Sequence, residues 1–295
     1  MEKVLIRVPA TTANLGPGFD CLGCAFELYN TFTFAPCIGY AFTGVEEQYC
    51  NEDNLAVIGY KKVMEYMQLE PVGFHLKLTD CQVPVCRGLG SSSTLILAGA
   101  YAANALHDGG LSREELLNLC TEIEGHPDNL APAVYGGLTG SMMFDGKPVT
   151  VRYIPNETLT WVAMIPEFEL STQKSRSVLP ESVTRQDAIF NVSRASILLG
   201  ALVQGDETLL ATAMDDRLHQ PYRKSLVPEY EDVEKIVLEE GFPAMVLSGA
   251  GPTLLTITRH GGNIANPRRR LKDLQGGWKV LPLHVDMQGI TVETK

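Results

Sequence analysis

Pro84-Val85-Cys86-Arg87-Gly88-Leu89-Gly90-Ser91-Ser92-Ser93-Thr94 stands between a strand-like and a helix-like segment. Upstream, Phe74, Leu76 and Leu78 alternate with His75, Lys77 and Thr79, the period of a half-buried strand. Downstream, Ser91 to Leu106 reads as a helix, with Ala98, Gly99, Ala102 and Ala103 small enough for close packing. Glycines let a backbone approach a ligand closely, and a helix start leaves N–H groups unpaired. Together they form an anion site suited to the phosphates of a nucleotide. Serine hydroxyls there can donate to phosphate or bind Mg2+. Read alone, the same residues also describe a plain turn with serine caps. The P-loop pattern fails because no lysine follows either glycine, and the dinucleotide fingerprint fails at Ser93, where its third glycine would stand.

Two more turns combine glycines with hydroxyls or amides: Pro9-Ala-Thr-Thr-Ala-Asn14-Leu-Gly16-Pro-Gly18-Phe-Asp20 and Leu247-Ser248-Gly249-Ala250-Gly251-Pro252-Thr253. Each follows a strand-like run, the first of them marked by Val4, Ile6 and Val8. A fourth segment, Glu122-Ile-Glu124-Gly125-His126-Pro127-Asp128-Asn129, is broken by Gly and Pro. Its carboxylates are the hard oxygen ligands that Mg2+ prefers. A carboxylate beside a phosphate site could also orient a hydroxyl, and the bland alternative is a polar loop ending a helix.

The rest of the chain bounds the answer. At 295 residues it is long enough for two domains with real cores. A net charge of −11 argues against general affinity for nucleic acid or an anionic membrane, while leaving room for a local basic pocket. No apolar run reaches the roughly 18 residues of a membrane helix, and Met1 to Val8 does not read as a signal peptide. Seven thinly spread cysteines fit a reducing compartment, so a cytoplasmic protein is expected. Cys21 and Cys24, despite their spacing, read as buried small residues. His75, His107, His219, His260 and His284 form no ligand spacing.

Helices are expected over 54–67, from the capping box at Ser112, and over 186–202, 206–218 and 230–240; strands over 31–35, 161–166, 244–247 and 254–258. Helices intermixed with antiparallel strands suggest α+β architecture, with a boundary near 150–160.

Taken in order, the four segments resemble the GHMP kinase superfamily, the small-molecule kinases named for galactose, homoserine, mevalonate and phosphomevalonate, and most closely its homoserine kinases. Pro84 to Ser93 resembles the superfamily's phosphate loop, and Val246 to Thr253 its C-terminal glycine motif. The stretches 9–20 and 124–133 resemble homoserine kinases in particular. The resemblance implies a two-domain α+β GHMP kinase fold. Residues 1–155 would form a ribosomal-protein-like α/β domain with a left-handed β-α-β crossover, and 156–295 a ferredoxin-like α+β domain.

It also implies transfer of the γ-phosphoryl group of ATP to the hydroxyl of L-homoserine, on the route to threonine. Arg87, Gly88, Leu89, Gly90, Ser91, Ser92 and Ser93 would wrap the ATP phosphates, with Asn54 at the adenine. Ser92 and Glu124 would hold Mg2+, with Glu122 as a rival. Arg176 and Arg223 would bind the homoserine carboxylate; Asn14, Asp20 and His126 would contact the rest. Thr172 would lie near the reacting centre, with Asp128 and Asn129 in the active site and the choice between base and positioning group open for Asp128. Relatives are often dimers, so a homodimer is carried as an expectation. Ser93-Thr94 departs from the usual Ala-Ala of the phosphate loop.

Competing functions are a mevalonate-type kinase, which needs no zwitterion site, a silent nucleotide sensor, which would not retain Ser92, Glu124 and Asp128, and an RNA-binding module, which the net charge disfavours.

Overall fold

The computed structural model describes residues 3–259 and 264–295; Met1, Glu2 and His260 lie outside them. The first half of the chain folds as β1 (Val4–Ala13), β2 (Leu22–Pro36), β3 (Ala41–Thr43), α1 (Leu55–Tyr66), β4 (Phe74–Cys81), α2 (Ser91–Leu106), α3 (Arg113–Glu124), α4 (Leu130–Tyr135), β5 (Leu138–Phe144) and β6 (Lys147–Tyr153). β2 is the spine of their sheet. It pairs with β1 along one side, with β4 over residues 30–36 and with β5 over residues 22–24. Only its second half was legible, because residues 22–26 are buried one after another and show no alternation.

The helices α1 and α2 cross at two glycines. A Cβ on Gly99 would lie 1.9 Å from the Ala56 carbonyl oxygen, and one on Gly59 would lie 2.2 Å from that of Ile96. Helix α3 starts with the expected capping box: Glu115 N–H donates to the Ser112 hydroxyl at 3.2 Å, and Ser112 N–H donates to Glu115 Oε2 at 2.8 Å. It runs through both Glu122 and Glu124 and stops at Gly125, which adopts φ +89°. The β5–β6 hairpin was not anticipated, although its Asp145-Gly146 turn, with both φ positive, is a strong hairpin signal.

The second half contains β7 (Leu159–Ile165), α5 (Thr172–Ser177), α6 (Arg185–Gln204), α7 (Glu207–Ala213), α8 (Gln220–Arg223), α9 (Tyr230–Glu239), β8 (Val246–Leu247), β9 (Leu254–Arg259), α10 (Ala265–Arg270) and β10 (Lys279–Leu283). Its strands lie in the order β10-β7-β9-β8, all antiparallel, with helices inserted after β7 and after β9. That is the ferredoxin-like β-α-β-β-α-β arrangement. The helix expected over 206–218 ends early. Asp216 starts a new turn instead, accepting from the N–H groups of His219 at 3.0 Å and Gln220 at 2.7 Å.

The last strand, β11 (Thr291–Thr294), returns to the first sheet and pairs with β1 from Val4↔Thr294 onward. Of the Cys21/Cys24 pair, Cys24 is buried and Cys21 is exposed, which corrects half of the sequence reading. All seven cysteines are free, and among the described residues no helix is long and apolar enough to cross a membrane.

The helix crossing can be tested with two glycines that both sit in helix interiors. Gly99→Ala should destabilise by about 1–3 kcal/mol, because backbone must move. Gly200→Ala, whose Cβ meets nothing within 4 Å, should be stabilising by up to about 1 kcal/mol. Urea midpoints of the two variants decide this.

Candidate active site

Two cavities meet at the start of α2. The first, of about 90 Å3, is walled by Gly88, Gly90, Ser91 and Ser92 and by Glu124, His126, Asp128 and Asn129, with Asn14, Asp20, Thr172, Arg176, Arg223 and Gly249 completing it. The second, of about 290 Å3, shares Ser91 and Ser92 but is largely apolar, with Phe32, Val45, Leu55, Leu78 and Leu95 beside Tyr49 and Asn54. A charged pocket joined to an apolar one at a helix start suits a molecule with phosphates at one end and a flat ring at the other.

The three glycine turns make the walls. Gly88 and Gly90 both have positive φ, and a Cβ on Gly88 would sit 2.3 Å from the Ser248 carbonyl oxygen. The Ser248 hydroxyl lies 2.6 Å from Gly88 O and 2.8 Å from Thr12 Oγ1, so it touches all three turns. Backbone bonds from Gly249 N–H to Ala13 O and from Thr253 N–H to Arg87 O close the same junction.

Within the phosphate loop, the side chains divide. The Ser92 hydroxyl donates to Glu124 Oε1 at 2.9 Å, and both residues face the first cavity. Ser93, one position on around the helix, is fully buried with its hydroxyl unpartnered, and Leu89 packs into the core. Neither side chain lines a cavity. The Arg87 guanidinium turns away as well: it donates to Pro166 O at 3.0 Å, to Val85 O at 2.9 Å and to Glu167 O, and pairs with Glu169. It ties the loop to the end of β7. Asn54 lines the apolar cavity, but its side chain caps α1, accepting from Ala56 N–H and donating to Tyr49 O. Glu122 pairs with Lys62 at 2.8 Å, so of the two glutamates only Glu124 faces the cavity.

At the other end sits a dense set of charges. Arg176 grips Asp20 at two points, 2.7 and 3.2 Å. Arg223 is almost completely buried and makes no ion pair among the described residues; burial first, and then the neighbouring Arg176, push its pKa down to about 10. Asn14 braces the wall, donating to Gly249 O at 2.7 Å and accepting from Asp20 N–H. His126 Nδ1 is hydrogen-bonded to the buried carboxylate of Asp128. Burial lowers the His126 pKa, but the hydrogen bond to Asp128 and the charge of that carboxylate together outweigh it, and the net direction is up. Burial raises Glu124, only partly opposed by His126 and Ser92.

Thr11, Phe19, Ser175 and His219 were missed. The Thr11 hydroxyl donates to Asn129 Oδ1 at 2.9 Å, which leaves the Asn129 NH2 for the cavity. Phe19 stacks on His219, with ring centroids 5.3 Å apart. Thr11, Phe19 and Ser175 work through partners remote in sequence, while His219 sits four residues before Arg223 with nothing in the local pattern to single it out.

Such a glycine-walled phosphate pocket, set where an α/β unit meets a ferredoxin-like one, defines a nucleotide-using small-molecule kinase. Residues 54–137 match the GHMP kinases N terminal domain, and residues 198–274 the GHMP kinases C terminal domain. A homoserine kinase of Clostridium botulinum is 39% identical over 292 residues, covering 98% of each chain, and another strain's is 40% identical over 293 residues, again 98% of each. The crystal structure of the homoserine kinase from Cytophaga hutchinsonii superposes with a TM-score of 0.87 at 26% identity, over 99% of this chain and 98% of that one. This chain belongs to the GHMP kinase family, among the homoserine kinases. The fold alone is also shared by mevalonate diphosphate decarboxylase from Enterococcus faecalis, with a TM-score of 0.73 at 14% identity, covering 100% of this chain and 99% of that chain.

The His126–Asp128 pair has a pH signature. A raised folded pKa means that its stabilisation is complete below the ordinary value of 6.5 and is lost as pH climbs through the folded value. In an NMR titration the His126 midpoint should lie above 6.5 and should fall in Asp128→Asn. The stability gap between the two proteins should narrow as pH rises.

Proposed function

We propose that this protein phosphorylates the side-chain hydroxyl of L-homoserine with ATP, giving O-phosphohomoserine and ADP on the route to threonine. The observation that carries this reading is the meeting of Asp20, Arg176 and the unpaired Arg223 in one cavity with the glycine loop. Homoserine is a zwitterion: its carboxylate needs cations and its ammonium needs acceptors. The two arginines supply the first and Asp20 the second. Asn14 and His126 complete the substrate wall, with Thr172 beside the reacting centre.

On the nucleotide side, the backbone of 88–93 and the hydroxyls of Ser91 and Ser92 would cradle the phosphates, and the apolar cavity beside Asn54 would take the adenine. Mg2+ fits Ser92 and Glu124, a hydroxyl and a half-buried carboxylate 2.9 Å apart that both face the cavity. When bound there, the ion neutralises charge on the phosphates. The homoserine oxygen attacks the γ-phosphorus, the bond to the β–γ bridging oxygen breaks with its electron pair going to ADP, and the hydroxyl proton passes to a transferred phosphoryl oxygen and from there to water. Asp128 and Asn129 hold that hydroxyl in line. A loose transition state asks for alignment more than early deprotonation, so orientation by Asp128 suffices.

The division into 1–155 and 156–295 is proposed as the functional one, with β11 returning to the first part. Seven unpaired thiols support a cytoplasmic site of action. A homodimer rests on the family resemblance alone.

Coupled ADP release with Mg-ATP tests the substrate, comparing L-homoserine with mevalonate, galactose, L-serine, L-threonine and no acceptor. Release that depends on homoserine alone supports the reading; activity with another alcohol overturns the roles given to Arg176 and Arg223. Arg176→Ala and Arg223→Ala should each raise the homoserine KM by about 10–100-fold, with the ATP KM within about twofold.

A further inference from the structure

We propose that His219, which does not itself line the cavity, is a positioning residue that holds Arg223 with one edge free for the substrate carboxylate; the inference rests on the carboxylate role given to Arg223 above. Arg223 has five N–H donors. Its Nε–H donates to Ser175 O at 3.1 Å, and Nη1 lies 3.4 Å from Gly249 O and 3.3 Å from His219 Nδ1. No protein partner is recorded for Nη2 among the described residues, and the residue lines the cavity. The remaining N–H pair therefore serves as the anion receptor.

The histidine is itself held in one tautomer. Its Nε2 lies 2.8 Å from Gly16 O, a carbonyl that can only accept, so Nε2 carries the proton and Nδ1 is left as an acceptor toward the guanidinium. The ring is fully buried and stacked on Phe19, while Asp216 clamps the backbone of the same turn. Gln220 Oε1 accepts from Leu247 N–H at 2.8 Å and pins that turn to the strand entering the third glycine turn. A side chain four residues from Arg223 thus sets the aim of a cation without touching substrate.

Three variants separate this role from mere packing. His219→Gln can keep the donor to Gly16 but loses the acceptor at Nδ1; His219→Phe keeps the ring alone; His219→Asn puts an amide oxygen near the place of Nδ1. Gln and Phe should raise the homoserine KM by about tenfold with the ATP KM within about twofold, and Asn should stay within about threefold of wild type. The carboxamide of homoserine, which lacks the carboxylate, should show no such penalty in any variant. Equal rises in both Michaelis constants, or an Asn variant as impaired as Gln, would overturn the proposal. If Phe fails to fold by circular dichroism, the Gln and Asn pair still decides. An Arg223→Ala enzyme with unchanged homoserine KM would defeat the carboxylate reading itself. Impaired Arg223→Ala beside unimpaired His219 variants would defeat only the positioning role.

Discussion

The structure depends on three backbone turns approaching more closely than side chains would permit. Gly88 lies against the carbonyl of Ser248, Gly90 against the hydroxyl of Thr11, and Gly16 against the carbonyl of Met214. At all three, φ is positive and no space remains for a Cβ. The close approach brings the N-terminus of α2, the turn after β1 and the β8–β9 turn to one point. It also joins the two halves of the chain, because Met214 and Ser248 belong to the second half and the glycines to the first. Fold and pocket therefore share one geometric cause.

Around that junction the charges are arranged with one imbalance. Asp20 and Arg176 satisfy each other, and His126 satisfies Asp128, yet Arg223 is buried with hydrogen bonds only to carbonyls and an imidazole, while the carboxylates of Asp20, Asp128 and Asp216 act on it without forming an ion pair among the described residues. A buried cation whose counter-charges stand off from it is costly, and an anion in the cavity would offset that cost. Near the phosphate loop Glu124 is a half-buried carboxylate facing a hydroxyl, its pKa raised by burial against the pull of His126, Ser92 and Arg176. An acidic chain, at −11 overall, still places Arg176 and Arg223 in one cavity wall, and there the local arrangement of charge and burial matters more than the net charge.

How much of this was readable follows from the range of each interaction. The capping box at Ser112, the amphipathic helix 230–239 and the glycine loop leading into α2 are set by residues within a few positions of one another. The segment expected as one long helix over 206–218 broke because Asp216, an apparently ordinary acid, captured the N–H groups of the following turn. Most residues named for the pocket do line it, since motif spacing carries them there together.

By itself the sequence determined the elements, the glycine turns and the chemical types gathered at them, because caps, periodicity and backbone freedom are local properties. Only the tertiary structure decided which atoms are free to act. Arg87 was drawn to the carbonyls beyond β7 and Ser93 into the core, while His219, silent in the sequence, came to rest against Arg223. A donor or acceptor is claimed by whichever partner the fold places within about 3 Å. For these residues several of the partners lie far along the chain or on another element. Local rules could supply the side chain but not what it would hold.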